Sequence, residues 1–111
     1  MERSARKAAV SAYKEMPLDW GVYAVRCAQT GQTWVGGSRH LSKQQNGLWF
    51  TLRMGNCRHV ALQASWTAHG EAAFSLDPLE QLAADTPEIS RVRVLKERTA
   101  HWLAALEATA L

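Results

Sequence analysis

The sequence predicts one small domain of mixed α/β (α+β) class, a three-stranded antiparallel sheet covered by helices in the order α-β-β-α-α-β-α. Three observations support this class. Residues 20–28 follow the two-residue period of a strand, with Val22 and Ala24 on one side and Tyr23, Val25 and Cys27 on the other, and residues 33–37 form the returning strand after a glycine turn. Residues 41–69 carry apolar side chains at helical spacing, and residues 74–82 alternate again before a final helix-forming stretch. A chain of 111 residues has room for one such core.

The composition predicts a globular protein of the cytoplasm. Hydrophobic residues make up 47% of the chain and charged residues 21%, which is typical of a folded domain. The sequence has no apolar run of about 18 residues, so we expect no membrane partner. With only Cys27 and Cys57 and no signal-peptide pattern, we expect reduced thiols rather than a disulfide.

The charge is unevenly distributed along the chain. Residues 1–60 hold nine Lys and Arg against three Asp and Glu, a net charge of +6, which leaves −3 for the remainder. A basic half is compatible with a polyanionic partner such as nucleic acid. Ordinary solvated surface charge is the alternative interpretation.

An N-terminal helix and a β-hairpin begin the chain. Residues 4–16 are rich in Ala and long side chains and precede Pro17, which predicts a helix stopped by proline. We therefore assign residues 1–19 to an N-terminal helix and linker and residues 20–111 to the main domain. In the hairpin, strands at 20–28 and 33–37 flank a turn at 29–32.

Two helices are predicted after the hairpin. Ser38 or His40 is expected to begin the first, and Gly55 to end it. Its apolar stripe consists of Leu41, Leu48, Trp49 and Leu52. The second helix covers 60–69, and Gly70 is a suitable residue for its C-terminal end.

A third strand and a long helix complete the predicted fold. Residues 74–82 alternate, and Pro78 within them indicates an edge strand or a bulge. Ser90 is expected to cap the last helix. The apolar stripe of that helix is Val92, Leu95, Thr99, Trp102, Leu103 and Leu106. Common nucleotide and zinc motifs (GxGxxG, the P-loop, HExxH, CxxC) are missing from the sequence.

An ordered set of residues resembles the GIY-YIG nuclease family over roughly residues 20–106. The matching residues are Gly21-Val22-Tyr23, Trp34-Val35-Gly36, Leu62-Gln63, Trp66, His69-Gly70, Phe74 and Leu79-Glu80, followed by HWLAAL at 101–106. The resemblance implies phosphodiester hydrolysis of DNA with one divalent metal, Mg²⁺ or Mn²⁺, held by a glutamate on the last helix. It also implies two site tyrosines and a phosphate-binding arginine.

The resemblance assigns four catalytic positions and two structural glycines. Tyr23 matches the first tyrosine, while Trp34, Gln44 and Thr99 stand at the positions of the second tyrosine, the arginine and the glutamate. Gly21 and Gly36 match the glycines of the two strand motifs.

Three of these positions depart from the family pattern. An indole cannot accept a proton, a neutral amide lacks the charge of a guanidinium, and a lone hydroxyl is a weak ligand for a hard cation. Glu97 is a weak candidate for the metal ligand, because it lies about 200° around the helix from Thr99.

The sequence therefore supports more than one function. The first hypothesis is a divergent GIY-YIG nuclease whose activity is weakened or lost. The alternative is a catalytically degenerate module that binds nucleic acid, DNA rather than RNA, or that serves a regulatory interaction. The candidate nucleic-acid contacts are Arg26, Arg39, His40, Lys43, Arg53, Arg58 and His59, with Trp49 as a stacking group.

Overall fold

The predicted hairpin is present in the computed structural model, which describes residues 18–111. Strands β1 (Gly21–Cys27) and β2 (Thr33–Ser38) pair antiparallel. At the turn the amide of Gly31 donates to the carbonyl of Cys27 at 2.8 Å. Gly31 has a φ of 75°, a conformation that glycine adopts without steric cost. The hairpin prediction is confirmed.

Helix α1 (Leu41–Arg53) is capped by a residue distant in sequence. His40 occupies the N-cap position, as one of the two predicted options, but its side chain makes no capping bond. Instead, the amide of Ser42 donates to Oδ1 of Asp19 at 2.8 Å, and the Ser42 hydroxyl donates to Oδ2 at 2.9 Å. The backbone bond from Ser42 is the main reason that the pKa of Asp19 lies below its usual range. The segment before β1 is thereby tied to α1.

Helix α2 (Val60–His69) has the predicted bounds. His59 caps it, since its Nδ1 accepts from the amide of Leu62 at 3.3 Å. Gly70 ends it with a φ of 82°, and its amide donates to the carbonyl of Trp66 at 2.8 Å. The predicted role of Gly70 is therefore confirmed.

Strand β3 (Phe74–Gln81) lies at an edge of the sheet and contains a bulge. Glu80 pairs with Val22 and Pro78 pairs with Tyr23, so one residue of β3 between them has no partner on β1. Proline cannot donate to a ladder, which explains why both the edge position and the bulge occur here.

The C-terminal part differs from the prediction in two details. Ser90 occupies the predicted N-cap position of helix α3 (Arg91–Leu106), but its side chain makes no capping bond. After Glu107, strand β4 (Thr109–Ala110) pairs parallel with β2. The sheet thus has four strands in the order β3-β1-β2-β4 rather than three. Two residues are too few to show an alternating pattern.

The sheet separates two apolar clusters, because successive residues of a strand point to opposite faces. Tyr23 and Val25 of β1 and Trp34 of β2 pack against α1 and α2 through Leu41, Trp49, Leu52, Leu62 and Trp66. Val22 and Ala24 of β1 and Val35 of β2 pack against α3 through Leu95, Trp102, Leu103 and Leu106. We call the first side the α1–α2 face and the second the α3 face.

The helix predicted within residues 1–19 lies outside the described residues. Among the helices of residues 18–111, none combines the length and apolarity that crossing a bilayer requires.

Two glycine substitutions are expected to have opposite effects on stability. A Cβ on Gly21 would lie 2.6 Å from Cδ2 of Leu41 and would also overlap the carbonyl oxygen of Glu80. We predict that Gly21→Ala lowers the free energy of unfolding by about 1–3 kcal/mol, as overpacking does. Gly47 lies within α1, and a Cβ added there would have no atom within 4 Å. Gly47→Ala should therefore raise the free energy of unfolding by up to about 1 kcal/mol.

Urea unfolding of the two variants and the wild type measures both effects. Equal stability of the two variants would contradict the close packing at the start of β1.

Candidate functional site

The ring of Tyr23 lies over Gly36 on the α1–α2 face. The two residues pair directly across β1 and β2. A Cβ on Gly36 would lie 2.9 Å from the phenol oxygen and 3.0 Å from the ring carbon that bears it. The ring can occupy this position only because residue 36 has no side chain. Only 5% of Tyr23 is exposed.

A chain of hydrogen bonds leads from the start of α1 to the phenol. The amide of His40 donates to Oγ of Ser38 at 3.0 Å, and this hydroxyl donates to Oε1 of Gln44 at 2.7 Å. Nε2 of Gln44 then donates to the phenol oxygen of Tyr23 at 3.2 Å. Since the phenol accepts this bond, its own proton remains available to donate.

The phenol is neutral over the physiological pH range. Burial is the main cause that raises the pKa of Tyr23 to about 12, and the nearby Cys57 thiol acts in the same direction. The hydrogen bond from Gln44 acts in the opposite direction. Tyr23 is consequently suited to donate a hydrogen bond to an oxygen and poorly suited to take up a proton.

Two adjoining cavities form a groove along α1, which we call the α1 groove. One has a volume of about 340 Å³ and the other about 400 Å³, and both are lined by Leu48 and Thr51. The first cavity is further lined by Tyr23, Cys57, Arg58, His59 and Leu111. The second is further lined by His40, Lys43, Gln44 and Gly47.

The wall opposite α1 is built by His59 and the last residues of the chain. Because Nδ1 of His59 accepts from the amide of Leu62, Nε2 carries the proton and donates to the carbonyl of Ala110 at 2.9 Å. The amide of Leu111 donates to the carbonyl of Val35 at 2.9 Å. Both ring nitrogens of His59 are thus engaged within the protein.

Tyr23 and Gln44 are brought together, whereas Trp34 lies in the core. Trp34 is 1% exposed and stacks on Phe74 with ring centroids 6.3 Å apart. No acceptor among residues 18–111 meets its indole N–H.

Thr99 lies on the opposite face of the sheet from Tyr23. The adjacent glycines of β2 show this, since a Cβ on Gly36 would meet the Tyr23 ring and a Cβ on Gly37 would lie 3.0 Å from Oγ1 of Thr99. The Thr99 hydroxyl donates to the carbonyl of Leu95, one turn earlier in α3, at 2.7 Å.

Two solved structures share this architecture. The catalytic domain of the homing endonuclease I-TevI is 21% identical, with coverage of 83% of this chain and 97% of that domain and a TM-score of 0.68. A mutant of the catalytic domain of the intron endonuclease I-TevI is 23% identical, with coverage of 79% and 84% and a TM-score of 0.66. The chain has the GIY-YIG fold. No protein-family model matches the sequence, and no curated protein matches it significantly.

The GIY-YIG family implies a divalent metal, and the donor atoms near Tyr23 do not fit one. The side chains of the α1 groove offer an amide, hydroxyls, a thiol and histidines, but its lining contains no Asp or Glu side chain. Mg²⁺ and Mn²⁺ prefer carboxylate oxygens. Nowhere in residues 18–111 do three His, Cys, Asp or Glu side chains group in a way that would hold a metal.

Two carboxylates that could be considered as metal ligands, Glu97 and Glu80, are each paired with an arginine. Glu97, the weak candidate, is exposed on α3 and lies 3.1 Å from Nη1 of Arg93. Glu80 accepts from Nε of Arg98 at 2.9 Å and from the indole of Trp102 at 2.9 Å. The Arg98 hydrogen bond is the main reason that the pKa of Glu80 lies below its usual range.

Three of the candidate cations, Arg53, Arg39 and Arg26, lie away from the lining of the α1 groove. Arg53 forms a bidentate pair with Glu71, at 2.6 and 2.9 Å. Arg39 lies over the ring of Trp20, 4.9 Å from its centroid. Arg26 lines a third cavity at the turn end of the sheet.

Lys43 and Arg58 are exposed and line the α1 groove, Arg58 in the same cavity as Tyr23 and Lys43 in the adjoining one.

A stretch without acidic residues is the clearest charge pattern of the chain, and the net charges of residues 1–60 and of the remainder do not show it. Residues 20–70 contain no Asp or Glu at all, although they hold five of the Lys and Arg residues. This acid-free segment supplies β1, β2, α1 and α2, whereas β3, α3 and their connections carry the acidic side chains from Glu71 onward. A scan for uninterrupted acid-free stretches would have found it.

Trp49 is not available for stacking on a ligand, so that prediction is wrong. It is 6% exposed and packs edge-on against Trp66 with centroids 5.2 Å apart. The next residue, Phe50, is 62% exposed.

The raised pKa of Tyr23 predicts a specific loss of stability at high pH. The folded state keeps the phenol proton up to about pH 12, while the unfolded chain releases it near pH 10. The stabilisation is therefore fully present below pH 10 and is lost as the pH rises towards 12. The free energy of unfolding of the wild type should fall relative to Tyr23→Phe by at most about 1.4 kcal/mol per pH unit.

Denaturant unfolding of both proteins from pH 8 to 12 measures this difference, since all other titrating groups are shared. Parallel curves would show that Tyr23 titrates like an exposed phenol.

Proposed function

We propose that the protein binds nucleic acid, DNA in the first instance, in the α1 groove. The observation that carries the proposal is the acid-free segment, because its fold places Lys43 and Arg58 on a groove whose floor holds a neutral phenol. A groove lined by exposed cations and by no Asp or Glu side chain attracts phosphates.

The polar groups of the groove suit the oxygens of a phosphodiester. Lys43 and Arg58 supply charge, and the Tyr23 hydroxyl supplies a neutral donor held in place by Gln44. A preorganised donor beside two cations binds an anionic oxygen without first having to be ordered. Tyr23 and Gln44, which the resemblance matched to site positions, are therefore proposed to act in phosphate binding, Tyr23 as the donor and Gln44 by holding the phenol.

Metal-dependent cleavage of DNA is the second candidate. It is favoured by the fold, which matches catalytic domains of an endonuclease, and by Tyr23 beside a groove of suitable charge. Mg²⁺ or Mn²⁺ would need a carboxylate that the side chains lining the groove do not supply, from elsewhere in the chain or from another molecule. Binding accounts for the described groove without that addition.

Binding through the groove predicts a defined dependence on salt. The logarithm of the association constant for duplex DNA should fall linearly with the logarithm of the salt concentration. Removing one phosphate contact should reduce the magnitude of the slope by about 0.9. We expect this reduction for Lys43→Gln and for Arg58→Gln, measured by fluorescence anisotropy with a labelled duplex.

Lys96→Gln is the matched control, because Lys96 is an exposed lysine on α3, outside the acid-free segment. It should leave the slope unchanged. Equal slopes for all variants, or no salt-dependent binding by the folded protein, would refute the proposed site.

A further inference from the structure

Helix α1 exposes two large apolar side chains beside the α1 groove. Phe50 is 62% exposed and Met54, the C-cap residue, is 60% exposed. The helical hydrogen bonding continues to this point, since the amide of Met54 donates to the carbonyl of Phe50 at 3.1 Å. The packing of the core, which α1 joins through Leu41, Trp49 and Leu52, does not explain why the Phe50 ring is left in water.

These side chains belong to the same helical stripe as a groove cation. Lys43, Gly47, Phe50 and Met54 are spaced by four, three and four residues, which places them along one side of an α-helix. Lys43 and Gly47 line the groove, so the stripe follows its edge. A Cβ added to Gly47 would have no atom within 4 Å, so the surface between Lys43 and Phe50 is unobstructed at Gly47.

The positive charge near the stripe favours an anionic binding partner. Helix α1 contains no acidic residue and exposes Lys43, and the loop after it adds Arg58, whereas the charge of Arg53 is paired with Glu71. An anionic partner that also presents flat apolar surfaces satisfies both features. Nucleotide bases joined by phosphates have this combination, and bases stack on exposed aromatic rings irrespective of sequence.

We propose that Phe50 is a stacking platform for an unpaired base, so that the α1 groove takes single-stranded nucleic acid in preference to duplex. The proposal rests on the proposed function and names its substrate class. Phosphates lie along Lys43 and Arg58, and one base turns onto the ring of Phe50, with Met54 at its border. In a duplex the base faces are covered by their neighbours, so a ring at the groove edge reaches none of them.

The test compares single-stranded and duplex probes of equal length. Phe50→Ala should weaken binding of a labelled oligothymidine by about 5- to 100-fold, which is the range for loss of one stacked base. It should change duplex binding by less than about twofold and leave the salt slope of both unchanged, because no charge is removed. Phe50→Trp should retain the single-strand affinity, since an indole also stacks.

Ile89→Ala serves as the matched control, because Ile89 is an apolar side chain that is 95% exposed ahead of α3. It should alter neither affinity. Unchanged single-strand binding by Phe50→Ala, or an equal loss with both probes, would overturn the stacking platform while the salt-dependent binding stands. Failure of the wild type to bind either probe would overturn the proposed function and this inference together.

Discussion

The packing of the Tyr23 ring over Gly36 is the contact on which the candidate site depends. It requires a glycine on β2, the antiparallel register that sets it opposite Tyr23, and helix α1 to hold Gln44 against the phenol. Each requirement is met by a different element, so the site exists only when the sheet and α1 are packed together. In this chain, the packing of α1 against the sheet buries the Tyr23 phenol beneath an open groove.

Burial and charge then act together on the chemistry of the groove. The buried phenol is neutral, and the residues around it form an acid-free segment, so the groove presents donors and positive charge. The same absence of carboxylates that favours phosphate removes the ligands that a hard divalent cation needs. A groove of this composition is better suited to holding a phosphodiester than to polarising it through a metal.

Local patterns predicted most of the fold, because the relevant physics is local. The hairpin, the edge position with Pro78, and the end of α2 at Gly70 each follow from one or two residues and their neighbours in sequence. The cap of α1 by Asp19 and the two-residue strand β4 were missed, since both depend on contacts between distant parts of the chain. Trp49 belongs to the apolar stripe that helical spacing predicted and is buried, whereas Phe50, outside that stripe, is exposed; the spacing was therefore a better guide than the assignment of Trp49 as a stacking group.

The most direct test of this account is a time course of plasmid nicking and single-strand cleavage by the folded protein with Mg²⁺ or Mn²⁺, with EDTA as the control. We expect a preparation that binds the substrate to leave it intact with either metal. Cleavage that is abolished by EDTA and by Tyr23→Phe would contradict this expectation, and would mean that a carboxylate outside the groove lining completes a metal site at the groove.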